Sequence, residues 1–114
     1  MKYLKENKIT SIVIDFDELK DNSVNESMRH VMFGGYVTQI MAAMFGEASP
    51  FNLKVRGNQN QVDSFTKSLA GEKRYMDSYI KYGLSDPRTV SNKSLLQAAV
   101  AKFERATGLK WPFK

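Results

Sequence analysis

Apolar and polar residues alternate over residues 11–17, with Ile12, Ile14 and Phe16 on one side and Val13, Asp15 and Asp17 on the other. A period of two carried by β-branched side chains predicts a half-buried strand. The alternation returns over residues 51–57, where Phe51, Leu53 and Val55 are expected inward and Asn52, Lys54 and Arg56 outward, with Gly57 closing the strand. Between the two strands the pattern changes. Residues 26–45 carry Met28, Val31, Met32, Val37, Ile40, Met41, Met44 and Phe45. That helix is apolar nearly all round, so more than one of its faces is expected to be covered. Asn25 or Ser23 is placed to cap it, Gly34 and Gly35 either kink it or admit a close neighbour, and Gly46 and Pro50 end it.

After Gly57, Asn58 and Gln61 have the spacing of a capping box, which predicts a helix start. Val62, Phe65, Leu69, Met76 and Tyr79 or Ile80 then recur at helical spacing as far as Tyr82, with Gly71 a weak point and Gly83 placed as the left-handed C′ residue. Residues 84–87 read as a loop. Ser91 or Thr89 caps a last helix over 92–106 with Leu95, Leu96, Ala99, Val100 and Phe103 in one stripe, stopped by Gly108. The tail from Trp111 either folds back as a lid on the core or docks elsewhere. The order β-α-β-α-α describes a small, mostly helical α+β domain with a minimal sheet, a single domain over residues 1–114, whose βαβ start is right-handed if its strands are parallel. Two strands alone are marginal, so residues 2–9 or a strand from another copy is expected to join the sheet.

A chain of 114 residues buries enough surface to fold without a disulfide or a metal. It has no cysteine and one histidine, His30, which excludes disulfide, thiolate-zinc and iron–sulfur chemistry and leaves histidine-based metal or triad sites without partners. The 17 Lys and Arg against 12 Asp and Glu give a net charge of +5, unevenly placed: residues 1–47 sum to −2 and the rest to +7. The first residues lack the apolar core of a signal peptide, and the apolar run 31–45 is too short and interrupted to span a bilayer, so an intracellular protein without a membrane partner is expected.

Asp15 and Asp17, delivered by an apolar strand at i and i+2, resemble the nucleophile loop of haloacid-dehalogenase-type phosphatases. Such carboxylates bind Mg²⁺ and attack phosphate. The rest of that family's pattern does not follow: the expected Thr or Val and a second, Gly-Asp-rich metal motif are missing. The two acids read as the wet face of an edge strand, where charge deters mispairing. His30 reads as a surface or hydrogen-bonded core residue. No enzyme, cofactor, metal site or small-molecule substrate is expected.

Two kinds of binding surface remain. Lys67, Arg74 and Lys81 sit seven apart on the second long helix, and with Arg56, Arg88 and Lys102 they are the candidates for nucleic-acid contact. Tyr75, Tyr82, Lys93, Arg105 and Lys110 add charge and aromatic surface in the same half. Against this, Asp63–Lys67, Lys73–Asp77 and Asp77–Lys81 are spaced as ordinary i,i+4 pairs. The candidates for contact with a protein partner or a second copy are Met28, Met32, Met41 and Met44 on the Met-rich helix, with Trp111 and Phe113 in the tail.

Residues 51–114 resemble small proteins of unassigned function from contractile-tailed bacteriophages. The likeness rests on Val55-Arg-Gly57, Gln61-Val62, Phe65, Glu72-Lys-Arg-Tyr75, Tyr79, Tyr82-Gly-Leu84, Asp86-Pro87, Ala99-Val100, Phe103-Glu104, Thr107-Gly108 and Trp111-Pro-Phe-Lys114. It implies a structural or assembly role in a virion or the host cytoplasm and transfers no catalytic residue. The expected function is therefore that of a non-enzymatic interaction protein acting through protein contacts, with nucleic-acid binding by the basic C-terminal half as the alternative.

Overall fold

The structure, a computed structural model, describes residues 10–20, 25–46 and 51–113. It is a mostly helical α+β fold of strand β1 (Thr10–Asp15), a one-turn helix α1 (Phe16–Lys20), helix α2 (Glu26–Met44), strand β2 (Phe51–Arg56) and helices α3 (Gln59–Tyr82) and α4 (Pro87–Thr107). The strands pair in parallel, from Thr10 beside Phe51 to Asp15 beside Arg56, and among the described residues they form a two-stranded sheet. The expected recruitment of residues 2–9 to that sheet lies outside the described residues, as do the Ser23 cap and Pro50. Among the described residues no helix is long and apolar enough to cross a membrane.

Ile12 and Ile14 point into the core as their alternation predicts, and Val13 points out. The strand stops two residues earlier than the alternation extends. The Asp15 carboxylate accepts the backbone N–H groups of Asp17 and Glu18, both at 3.1 Å, so it caps α1 and turns Phe16 into the core as a helical residue. Asp17 thus lies on a helix and not on the strand's outer face. Leu53 departs from its inward assignment and is exposed, whereas Val55 packs against the core. Asn25 caps α2, accepting from the Met28 N–H at 2.8 Å, and the capping box of Asn58 and Gln61 opens α3 with both bonds at 2.9 Å. Gly83 ends α3, though not in the left-handed helical conformation expected of it: φ 88° and ψ 168° lie in an extended region that only glycine enters freely.

The last helix begins at Pro87, five residues before the apolar stripe suggests, and neither Ser91 nor Thr89 caps it. Asp86 does, accepting from the Arg88 N–H at 2.9 Å, and Pro87 occupies the first helical position where its missing N–H costs nothing. The longer α4 packs antiparallel along α3. Small residues make this approach close: Ser64, Ser68, Gly71 and Ser78 are buried on α3, and a methyl group on Gly71 would stand 3.4 Å from Leu96 Cδ1.

An aromatic cluster joins every layer. Phe16, Phe33, Phe65, Phe103 and Trp111 meet with ring centres 5.3 to 6.4 Å apart and are all buried. The tail folds back as a lid on this cluster. Trp111 donates its Nε1–H to buried Glu72 at 2.8 Å and its backbone N–H to Glu104 at 2.8 Å. Burial pushes the Glu72 carboxyl above its ordinary range, and the Trp111 hydrogen bond opposes that rise. His30 faces the residue before Trp111, its Nδ1 3.5 Å from the Lys110 N–H, and its Nε2 lies 3.6 Å from Glu26.

Candidate nucleic-acid interface

Residues seven apart on a helix drift only about 20° around it, so Lys67, Arg74 and Lys81 form one exposed row on α3, roughly 21 Å long. Arg88, Leu95 and Lys102 form a second row on α4 by the same spacing, and all three are exposed. Three contacts fix how the rows face each other: Gln61 Nε2 donates to the Ala106 carbonyl at 3.3 Å, Gly71 lies against Leu96, and Asn92 bonds Ser78. The start of α3 is therefore level with the end of α4. Lys67 comes level with Lys102, Arg74 level with Leu95, and Lys81 level with Arg88.

The lower end of this face is a groove of about 360 Å³ lined by Asn60, Asp63, Lys67, Lys102 and Arg105 among others. Cations from two helices, far apart in sequence, thus border one hollow. Among the described residues Lys67, Arg74, Lys102 and Arg105 have no ion-pair partner. Of the three i,i+4 pairs the spacing offers, only Lys73–Asp77 forms, at 2.7 Å, and it occupies the acid that would otherwise neutralise Lys81. One acid, Asp63, remains on the groove wall. At the other end Arg88 is engaged by Asp86, which the pairing holds down at a pKa of about 2 through hydrogen bonds from the Arg88 side chain and then its backbone.

Five of the six sequence candidates for nucleic-acid contact therefore share the hairpin. Arg56 stands apart, at the end of β2 beside Asp15. Arg105, which the sequence offers only as part of the general charge of this half, joins the groove.

The protein-contact candidates divide. Met41 and Trp111 are corrected to core residues, 4% and 3% exposed: Met41 lies on the buried stripe of α2, and Trp111 packs its ring on Phe33, Phe65 and Phe103. Met44 is half-buried against the same core. Met28 and Met32 remain at the surface with Val31, so the expectation that α2 is covered on more than one face is not met by the described residues: it buries the stripe of Phe33, Val37, Ile40 and Met41. Phe113 borders a groove of about 600 Å³ together with Tyr75, Val100 and Trp111.

One oxygen of Asp15 is engaged at the α1 cap, and Asp17 stands on the helix beyond. Among the described residues no three His, Asp or Glu side chains gather as a metal site requires. No protein-family model matches the chain, and no curated protein or solved structure matches it.

Proposed function

We propose that this chain is a non-catalytic binding protein whose α3–α4 hairpin holds the phosphate backbone of a nucleic acid. One observation carries the reading: the hairpin brings five cations, Lys67, Arg74, Lys81, Lys102 and Arg105, onto one face, none with an ion-pair partner among the described residues. Each phosphate neutralised releases condensed counterions, so binding weakens with salt by a log–log slope of about −0.9 per contact on duplex and −0.7 on single strands. Five contacts give a slope of roughly −3.5 to −4.5, a loss of at least about 100-fold between 50 and 200 mM salt. The test is fluorescence anisotropy of a labelled oligonucleotide across that range. Lys67→Gln with Lys102→Gln should flatten the slope by about 1.4 to 1.8. Binding indifferent to salt, or to the double substitution, rules the reading out.

A second reading has its own observation. Met28, Val31 and Met32 expose 53%, 71% and 41% of their surface on one side of α2, an apolar ridge suited to a protein contact. The likeness of residues 51–114 to phage proteins is compatible with either, and supports a role in a particle or its assembly. Charged substitutions at Met28 and Val31 that leave oligonucleotide binding intact but abolish self-association in light scattering favour this second surface.

A further inference from the structure

We propose that Tyr82 and Arg88 form a stacking platform for an unpaired nucleobase, which makes single-stranded nucleic acid the ligand of the basic face. The proposal rests on the reading of that face and adds the class of strand it takes. The Arg88 guanidinium carbon lies 3.4 Å from the centre of the Tyr82 ring, a face-on stack. Its plane is held from the side, where Nε and Nη2 donate to the two oxygens of Asp86 at 2.9 and 3.0 Å. Asp86 is itself fixed as the cap of α4. The guanidinium is thus rigid, stacked below by a ring, and 61% of the Arg88 side chain is open to solvent. Its charge is largely answered by Asp86, so it is a poor extra phosphate ligand and a good planar surface. Guanidinium planes and aromatic rings are what unstacked bases settle on, and duplexes keep their bases out of reach. Beside the stack lies a hollow of about 430 Å³ bordered by Ser78, Pro87, Ser91 and Asn92, whose polar groups can meet a base edge. The platform is level with Lys81, at the end of the cationic row, so a strand whose phosphates follow Lys67 to Lys81 delivers a base to it.

The test compares three labelled 12-mers with the full chain at one salt concentration: oligo-dT, a blunt duplex, and a strand of abasic spacers with the same number of phosphates. One stacked base is worth about 1–3 kcal/mol, so oligo-dT should bind roughly 5- to 150-fold tighter than the abasic strand. Tyr82→Leu and Arg88→Met should each bring oligo-dT down to within about twofold of the abasic strand, with far-UV circular dichroism confirming that α3 and α4 persist. Equal, salt-dependent binding of all three ligands overturns the platform and leaves the backbone reading standing. An advantage of oligo-dT that survives both substitutions also overturns it. Failure of all three to bind overturns both.

Discussion

Replacing Trp111 by phenylalanine tests how the tail is held. The ring of Trp111 sits against Phe33, Phe65 and Phe103, with centres 6.2, 6.2 and 5.4 Å away, and its Nε1–H meets Glu72 at 2.8 Å. Phenylalanine keeps most of the ring contact but leaves a buried carboxyl without its donor, a loss of about 1.5–3 kcal/mol. The smaller ring adds about 1 kcal/mol for the space left behind. The substitution should therefore cost about 3 kcal/mol, a large share of the roughly 5–15 kcal/mol that a domain commands. Urea unfolding followed by far-UV circular dichroism at pH 7 measures it. A double-mutant cycle with Glu72→Met separates the two contributions: with the carboxyl gone, Trp111→Phe should cost only about 1 kcal/mol, a coupling of about 2 kcal/mol. A Trp111→Phe cost below about 1 kcal/mol together with a coupling under about 0.5 kcal/mol refutes the reasoning.

Glu72 also sets a pH dependence. A carboxyl whose folded pKa is raised above its unfolded value makes the fold most stable at low pH, and that contribution is lost as pH climbs from about 4.5 through the raised folded value. Subtracting the stability of Glu72→Gln from that of the unsubstituted chain at each pH should isolate a difference that falls with rising pH; a flat difference contradicts it. At Gly57 an added methyl group meets Gln61 Oε1 and lies 3.0 Å from Phe16, so Gly57→Ala should cost about 1–3 kcal/mol in thermal or urea unfolding. At Gly71 the same methyl group only reaches ordinary contact with Leu96, so Gly71→Ala should match or exceed the original stability by up to about 1 kcal/mol, and Gly71→Leu should lower it by more than about 2 kcal/mol.

The period-two strands, the capping box at Asn58 and the helix ends at Gly46, Gly83 and Gly108 were legible because each is a local signal between near neighbours. The start of α4 was legible too, in Asp86 followed by Pro87, but its apolar stripe begins later and drew the boundary toward Asn92. Phe33 has no place in the pattern read from the Met-rich helix, yet it is fully buried at the centre of the aromatic cluster. On a helix apolar nearly all round, composition does not say which stripe meets the core. For the same reason Met41 and Met28 looked alike, although one is buried and the other exposed. Trp111 looked equally suited to a lid or a contact. Its acceptor, Glu72, lies 39 residues earlier, and only the fold brings the two together. On α3 the cationic row could be read from heptad spacing. Its convergence with Lys102 and Arg105 depends on an antiparallel hairpin whose register is set by Gln61, Gly71 and Ser78, none of them charged.

The most direct test of the basic face is residue-resolved. Backbone amide shifts of the isotopically labelled chain, followed by NMR during titration with an oligonucleotide at low salt, report where the ligand sits. The account predicts perturbations at Lys67, Arg74, Lys81, Lys102 and Arg105, reversed by added salt. Shifts confined to the Met28–Val31–Met32 ridge, or no shifts at saturating oligonucleotide, would contradict it.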